Sequence, residues 1–449
     1  MATQPCSAPA QLRRVLGLPA LVFFGLVYMV PLTIFTTYGI VTELTGGRTA
    51  GAYLVTLLAM LFTATSYSFM VRRFPVAGSA YSYTNMAFGP NVGFLAGWSL
   101  LLDYLFIPMI NYLLIGLFLN IAFPAIPAWA IVLASIALVT VLNVIGIHSV
   151  AKTSNLIVGA QIVFIGVFVA LSWQGLAGQP VDLLAPLRGD GSAPGFGALM
   201  AGAALLCLSF LGFDAVSTLA EECKDARRDV PQAIILTTLG AGLLFTVLAY
   251  VSQLVLPGSH FANADAAANE VMLKAGGQFL ANFFTAAFVA GSLGSALASQ
   301  AAVSRILFTM GRDRVLPQRS FGYLSPRFGT PVFATLLVSA FSLLALVIDL
   351  ATLASLISFG ALVAFSAVNL AVVKTHLVNE SAHRNLKGLL RYGAVPLVGL
   401  GLTLWLWTSL SALTLVIGLC WFALGLAYLA VLTAGFRRPV SLVDFSEVA

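Results

Sequence analysis

The dominant pattern of the chain is a series of long apolar runs separated by short polar segments. The runs are longer than β-strands, and no alternation with a period of two recurs, so the pattern favours membrane-spanning helices over a membrane β-barrel. A helix needs about 20 apolar residues to cross a bilayer. The runs predict twelve spans: 18–43, 51–70, 93–122, 126–146, 154–175, 197–219, 231–256, 277–304, 331–349, 352–373, 392–411 and 413–434.

The basic residues support this count, because lysine and arginine collect in cytoplasmic loops. When successive loops are placed on alternate sides, all but three of the 22 basic residues fall on one side; the exceptions are Arg48, Arg188 and Lys274. This bias predicts that both tails, 1–17 and 435–449, are cytoplasmic. We therefore expect a multi-pass protein of a bacterial-type cytoplasmic membrane.

The composition agrees with a membrane bundle. Hydrophobic residues make up 60% of the chain and charged residues 8%, against about 45–50% and about 25% in soluble domains. A soluble enzyme is therefore excluded. The net charge of +6 reflects membrane topology, so no nucleic-acid partner is expected. The chain has neither an H-E-x-x-H zinc motif nor a phosphate-binding loop, so we expect no enzyme activity, metal or cofactor.

Two of the predicted spans contain residues that interrupt a helix. Span 1 contains Pro31, which cannot donate an intrahelical hydrogen bond. Span 6 contains Gly212 and Asp214 in apolar surroundings. Matched interruptions in the two halves of a chain indicate the binding site of a secondary transporter. For Pro31 alone, a simple kink in a packed helix is the alternative.

The spacing of these interruptions predicts an inverted repeat. They lie five spans apart, and because five is odd, a second unit that starts at span 6 begins at the opposite membrane face. The first repeat is then 18–176 and the second 177–376, with two appended helices in 377–434.

Two acidic residues lie inside predicted spans and away from the span ends, Asp103 in span 3 and Asp214 in span 6. A charged carboxylate at the bilayer centre costs about 2.5–3.5 kcal/mol on insertion scales, so such groups usually face a cavity or a partner. We expect both to bind a ligand or coupling ion; a structural hydrogen bond to a neighbouring helix is the alternative. Glu221 and Glu222 follow near the predicted cytoplasmic end of span 6. A salt-bridge latch with the basic run 224–228 and a role in ion coupling are both open for this pair.

Aromatic side chains beside these acids are candidates for binding an ammonium group, because desolvated ring faces attract cations by about 2 kcal/mol or more. Tyr28, Tyr104, Phe210 and Phe213 lie beside an acid or an interruption. The interrupted segment 30–33 contains a proline and no glycine, so it offers few free N–H groups to a substrate carboxylate. A substrate with amines and no carboxylate is therefore favoured.

The chain resembles the amino acid–polyamine–organocation permease superfamily over nearly its whole length. The segments that carry this resemblance are 74–83 (FPVAGSAYSY), 212–215 (GFDA) with its continuation to 220–222 (AEE), and 227–231 (RRDVP). Three further segments are most similar to bacterial putrescine importers: 28–33, with Tyr28, Pro31 and Thr33; 98–111; and 304–305, followed by 310–313.

The resemblance implies a LeuT-like fold of about twelve helices, with a five-plus-five inverted repeat, discontinuous helices 1 and 6 and two appended helices. It also implies ion-coupled uptake of an amine by alternating access, with Asp214 as an acidic substrate ligand and Asp103 and Tyr104 in the same cavity. The candidate substrate-binding residues are Asp214, Asp103, Tyr104, Tyr28, Thr33, Phe210, Gly212 and Phe213.

The chain departs from the family pattern at two positions. Putrescine importers tend to carry an acid in the second half of span 1, where this chain has Thr36. One carboxylate fewer leaves monoamines and amino acids open as substrates. Some cationic amino-acid members have a lysine on span 5 in place of a sodium ion, and the counterpart here is Gln161. Gln161, Glu221 and Glu222 are thus candidates for coupling or gating.

These observations predict a secondary active importer of putrescine or a similar small amine, with a proton favoured over sodium as the coupling ion. An amino-acid permease of the same superfamily, for neutral or cationic amino acids, is the alternative. A non-transporting membrane receptor or scaffold is a third hypothesis.

Overall fold

The computed structural model of the protein describes residues 14–75, 80–145, 150–192, 195–312, 316–379 and 385–435. Almost all of them are helical, and these ranges contain no β-strand, only an isolated parallel bridge between Leu16 and Cys223. The predicted all-helical membrane bundle is confirmed. Most of both predicted tails, and part of the 74–83 motif, lie outside the described residues.

Eleven helices of the described chain are long and apolar enough to cross a membrane, and a further apolar helix is shorter. The spans, numbered in chain order, are Leu18–Thr36 with its continuation Tyr38–Thr45, Thr49–Arg73, Pro90–Ala122, Ala128–Ile145, Val150–Leu176, Phe196–Glu222, Asp229–Val255, Ala267–Arg312, Val332–Leu346, Leu350–Asn379, Leu386–Thr408 and Ala412–Leu432. Span 9 is the short one, so the predicted run 331–349 corresponds to a helix that ends early.

Span 8 differs from its predicted bounds of 277–304. Its helix begins at Ala267 and ends at Arg312, with a kink at Gly276 and Gly277. Gly277 has φ +64°, a conformation that residues with a side chain rarely adopt. The predicted start therefore lies at the kink. The helix begins before the predicted start and ends after the predicted end.

Burial separates central spans from peripheral ones. The most apolar window is 72% buried in span 10 and 67% buried in spans 2 and 6, but only 17% buried in span 12. A helix that is apolar on all sides suits either a core or a lipid environment. Spans 2, 6 and 10 therefore form the centre of the bundle, and span 12 lies at its edge.

Two tryptophans fasten the peripheral span 12 to span 3. The rings of Trp98 and Trp421 stack with their centroids 4.9 Å apart. Each indole N–H donates a hydrogen bond of 2.9 Å to the backbone carbonyl of the other residue. Segment 98–111, which carries much of the family resemblance, thus begins at an interhelical packing contact.

We call the end of the bundle at which span 1 starts the N-terminal face. Span 6 ends there, because the N–H groups of Val15 and Leu16 donate to the Glu222 carbonyl at 2.9 and 3.0 Å. The N–H of Lys224 in turn donates to the Leu16 carbonyl at 3.0 Å. Span 2 returns to the same face, so the short helix Ala80–Phe88 that follows it also lies there.

Spans 1 and 6 are interrupted, as the sequence predicts. The pieces of span 1 are the α-helix Leu18–Tyr28, the 3-10 helix Pro31–Thr36 and the α-helix Tyr38–Thr45. The pieces of span 6 are the α-helix Phe196–Leu206 and the 3-10 helices Cys207–Phe210 and Ala215–Glu222. The inverted-repeat division into 18–176 and 177–376 stays a prediction.

Candidate functional site

The interruption in span 1 lies at residues 29–31. Val30 has φ +52°, which is unusual for a β-branched residue, and Pro31 has no N–H to continue the helix. Thr33 satisfies the freed carbonyls: its hydroxyl donates to the Met29 oxygen at 2.9 Å, and its N–H donates to the Val30 oxygen at 2.9 Å. In this conformation the Thr33 hydroxyl hydrogen is therefore used inside the span.

The interruption in span 6 places a glycine against span 1. Gly212 has φ +125°, and a β-carbon there would lie 2.6 Å from Cδ1 of Tyr28 and 3.0 Å from Cγ of Met29. Glycine is required both by this dihedral angle and by the close approach. The interruptions of spans 1 and 6 are therefore in direct contact.

The Asp214 carboxylate is held within the span 6 turn. Its Oδ1 accepts a hydrogen bond of 3.2 Å from the Gly212 N–H. Its backbone carbonyl accepts from the Ser217 hydroxyl at 2.6 Å and from the Ser217 N–H at 3.0 Å. These bonds fix the start of the 3-10 helix that follows and orient the carboxylate beside the contact with span 1.

Asp103 on span 3 lies close enough to Asp214 for the two carboxylates to interact electrostatically. Asp103 is 5% exposed, and its Oδ1 has no hydrogen-bond partner among the described residues. Span 10 packs closely behind it, since a β-carbon at Gly360 would lie 3.3 Å from the Asp103 nitrogen. Within the described part of the chain, neither carboxylate is paired with a lysine, arginine or histidine.

Tyr28 and Tyr104 lie beside this pair of carboxylates. Both hydroxyls interact electrostatically with Asp103 and Asp214, and Tyr104 also interacts with Tyr28. Tyr28 is 46% exposed and Tyr104 is partly exposed. The structure thus brings together Asp103, Asp214, Tyr28 and Tyr104, and the two tyrosines keep accessible surface that a ligand could contact.

The rings of Phe210 and Phe213 do not face this site. Both are fully buried. Phe210 packs against Phe245 with ring centroids 5.8 Å apart, and Phe213 packs against Phe365 at 5.1 Å. The expectation that these two residues present ring faces to a substrate is not met in this conformation, because other aromatic side chains enclose them.

Comparison with known proteins places the chain in a family. The family model described as amino acid permease matches residues 20–437. The chain belongs to the amino acid permease family. The match extends from span 1 to span 12, so the superfamily resemblance predicted from the sequence is confirmed.

Relatives of this permease include transporters with different named substrates. It is 42% identical to the low-affinity putrescine importer PlaP of Escherichia coli K12, over 99% of both chains. It is 29% identical to the branched-chain amino acid permease BcaP of Bacillus subtilis, over 94% of this chain and 93% of the relative. It is also 29% identical to the vacuolar cationic amino acid transporter 4 of Arabidopsis thaliana, over 81% and 64%.

The coupling candidates of the permease lie apart from the paired carboxylates. Gln161 on span 5 is 1% exposed, and its Nε2 lies 3.5 Å from the Ala287 carbonyl oxygen on span 8. A side chain at Gly291 would collide with the same amide. Glu221 and Glu222 lie at the N-terminal face, where span 6 ends. Their roles in coupling or gating stay predictions.

One residue beside the site was missed by the sequence reasoning. Tyr67 on span 2 is fully buried, and its hydroxyl interacts electrostatically with Asp214 and Tyr104. Span 2 has no interruption and no acid, and the chain has 12 tyrosines, so no sequence signal distinguished this one.

Proposed function

We propose that the permease imports putrescine or a similar small amine by alternating access, with Asp214 and Asp103 as the ligands of the ammonium groups. The observation that carries this proposal is the pair of interacting carboxylates without a basic partner among the described residues. Charges in a membrane interior are expensive unless they are paired. A cationic substrate would supply the missing partner. The 42% identity to the putrescine importer PlaP supports the same assignment.

The tyrosines would complete the amine site. Tyr28 and Tyr104 both have accessible surface. Each would contribute a hydroxyl oxygen and a ring face, and both kinds of group attract ammonium. Thr33 would bind through its hydroxyl oxygen, because the hydroxyl hydrogen is donated to Met29. Gly212 holds Asp214 through its N–H. Phe210 and Phe213 would support the turn from behind, and could touch the amine only in another conformation.

The segment 30–33 favours an amine over an amino acid. Pro31 has no N–H, and the Thr33 N–H is already used by the Val30 carbonyl, so few donors remain for a substrate carboxylate. An amino-acid permease is the second candidate, and the 29% identity to BcaP favours it. The absence of an acid at Thr36 leaves that candidate open.

The test is uptake of radiolabelled putrescine in cells that lack their own putrescine transport. Wild-type permease should accumulate putrescine, and Asp214→Asn should abolish uptake while surface expression stays normal. Removal of one partner of a buried charge pair typically costs about 3–5 kcal/mol. Near-normal uptake by the variant would refute the role of Asp214.

Competition distinguishes the two candidate substrates. Diamines should inhibit putrescine uptake, whereas lysine and ornithine, which carry a carboxylate, should not. Strong inhibition by these amino acids, with their own accumulation, would favour the amino-acid permease. A wild type that accumulates no amine or amino acid under any ion gradient would favour a receptor or scaffold.

A proton is the proposed coupling ion. In the empty site a proton can neutralise a buried carboxylate that has no cationic partner, and an arriving amine would replace that charge. On span 5, some cationic amino-acid members have a lysine in place of a sodium ion. This permease has the uncharged Gln161 at the corresponding position. Uptake that survives collapse of the proton gradient and stops without sodium would contradict proton coupling. Variants Glu221→Gln and Glu222→Gln test whether these two acids act in coupling or gating.

The orientation is also a proposal. The excess of lysine and arginine on one side suggests that the N-terminal face is cytoplasmic in a bacterial-type inner membrane. The predicted cytoplasmic tails lie mostly outside the described residues. A reporter that is active only in the cytoplasm, fused to either end of the full chain, should be active; an inactive fusion with normal expression would reverse the orientation.

A further inference from the structure

Tyr67 has a buried hydroxyl that the packing of the protein does not explain. The residue is fully buried, and its hydroxyl has no hydrogen-bond partner among the described residues. A buried polar group without a partner destabilises a fold, and phenylalanine would pack in the same space without this penalty. Among the described residues, the Tyr67 hydroxyl oxygen is therefore available to a ligand that donates a hydrogen bond.

The surroundings of Tyr67 indicate what that ligand is. Its ring lies edge-on to Phe213, with centroids 5.7 Å apart, and Phe213 adjoins Asp214 in the span 6 turn. The hydroxyl interacts electrostatically with Asp214 and Tyr104. The nearby charge is thus negative, so a cationic hydrogen-bond donor is the kind of ligand that suits both the hydroxyl oxygen and the carboxylate.

A second tyrosine extends this polar patch towards the N-terminal face. The ring of Tyr83, in the short helix Ala80–Phe88, lies 5.9 Å from that of Tyr67. The Tyr83 hydroxyl lies near Ser217 and is also buried without a well-formed hydrogen bond. Tyr83 therefore adjoins Tyr67 from a helix that lies at the N-terminal face.

We propose that the Tyr67 hydroxyl, with Tyr83 beside it, is a transient acceptor for the ammonium group of the amine after it leaves Asp214 on its way inward. The phenol oxygens accept hydrogen bonds that the ammonium group donates. This inference rests on the proposed function and adds to it a second binding position for the amine. Both hydroxyls are enclosed in the present conformation, so the contact forms only when the N-terminal side of the site opens.

The test is Tyr67→Phe in the full-length permease, reconstituted in lipid vesicles. We expect Vmax for putrescine to fall about tenfold, equivalent to about 1.4 kcal/mol. The equilibrium Kd for putrescine should stay within about twofold, because Asp214 and Asp103 are unchanged. The melting temperature in detergent should be unchanged or higher, since the ring packing remains and an unpaired hydroxyl is removed.

Tyr112→Phe is the matched control. Tyr112 on span 3 is also fully buried, and among the described residues its hydroxyl has no hydrogen-bond partner and no carboxylate interacts with it. This variant should keep the wild-type Vmax. An equal loss of Vmax in the control would overturn the inference, because removal of any buried hydroxyl would then suffice.

The remaining outcomes are also decisive. A wild-type Vmax in Tyr67→Phe, or a reduced Vmax together with a reduced melting temperature, would overturn the inference, the second by indicating a structural role. If Tyr67→Phe does not fold, Tyr83→Phe carries the same expectations. A wild type that does not transport putrescine would overturn the proposed function and this inference together, whereas an active wild type with an unaffected variant overturns the inference alone.

Discussion

Replacement of Gly212 by alanine tests the contact between the two interrupted spans. The new β-carbon would lie 2.6 Å from Cδ1 of Tyr28, 3.0 Å from Cγ of Met29 and 3.2 Å from the Met29 nitrogen. The Tyr28 ring and the Met29 side chain can rotate away. The Met29 nitrogen belongs to the backbone, so span 1 itself must shift to make room.

The magnitude follows from two separate costs. A non-glycine residue at φ +125° is strained by about 1–3 kcal/mol. Overpacking of a close contact costs a further 1–3 kcal/mol or so. Gly212→Ala should therefore lose about 2–6 kcal/mol of stability if the two costs add. Putrescine affinity should also fall at least about tenfold, because movement of the Gly212 N–H displaces Asp214, which it holds by a hydrogen bond.

The assays are thermal unfolding in detergent and equilibrium binding of labelled putrescine. Gly166→Ala is the matched control: Gly166 lies in the helix of span 5, and a β-carbon there meets no atom within 4 Å. Alanine is favoured over glycine in a helix by about 1 kcal/mol, so the control should be neutral or slightly stabilised. A Gly212→Ala variant with wild-type melting temperature and affinity would refute the contact between the interruptions.

Three further predictions concern the framework around the site. Trp98→Phe and Trp421→Phe should each destabilise the protein, and a double-mutant cycle by thermal unfolding should give a coupling of about 0.5–3 kcal/mol; additive effects would show that the tryptophans act independently. Burial raises the pKa of Asp349, but hydrogen bonds from Thr352 outweigh it and hold the pKa below its ordinary value. Its N-cap contribution is therefore present at neutral pH and lost as the pH falls below about 4, so Asp349→Ala should cost about 1 kcal/mol at pH 7 and less at lower pH; a deficit that does not change with pH would contradict this. Gln300→Leu should lower the melting temperature because it removes the hydrogen bonds of the Gln300 amide with Asn143 on span 4, at 2.7 Å, and with Ser339 on span 9, at 2.6 Å. An unchanged melting temperature would show that these bonds are dispensable.

The interruptions could be predicted because they depend on local chemistry. Pro31 lacks a backbone donor, and Gly212 followed by Asp214 is out of place in an apolar helix, so each residue disturbs its span wherever the span packs. Their matched occurrence in the two halves of the chain then indicated a shared binding site. The structure places the interruptions in contact, with Asp103 close by. The sequence was therefore sufficient to predict that the two carboxylates lie near each other.

The orientation of aromatic side chains could not be predicted from the sequence. Membrane spans are apolar on nearly every side, so hydrophobic periodicity does not tell which face points to the core, to lipid or to a cavity. Phe210 and Phe213 lie beside the interruption in sequence but point away from it, towards Phe245 and Phe365. Tyr67 is distant in sequence from every acid, and only the packing of span 2 against span 6 brings its hydroxyl to Asp214.

Spans 1 and 6 are joined at two levels, and this limits how the site can open. At the interruptions, Gly212 packs against Tyr28. At the N-terminal face, three backbone hydrogen bonds connect Leu16 and its neighbour with Glu222 and Lys224. A movement of span 1 alone would have to break all three bonds and separate the interruptions. The part of span 1 before Pro31 and the part of span 6 after Asp214 are therefore connected at both ends, and we treat them as one unit. A motion that opens the carboxylates to the N-terminal face and keeps these contacts must therefore move this unit as a whole.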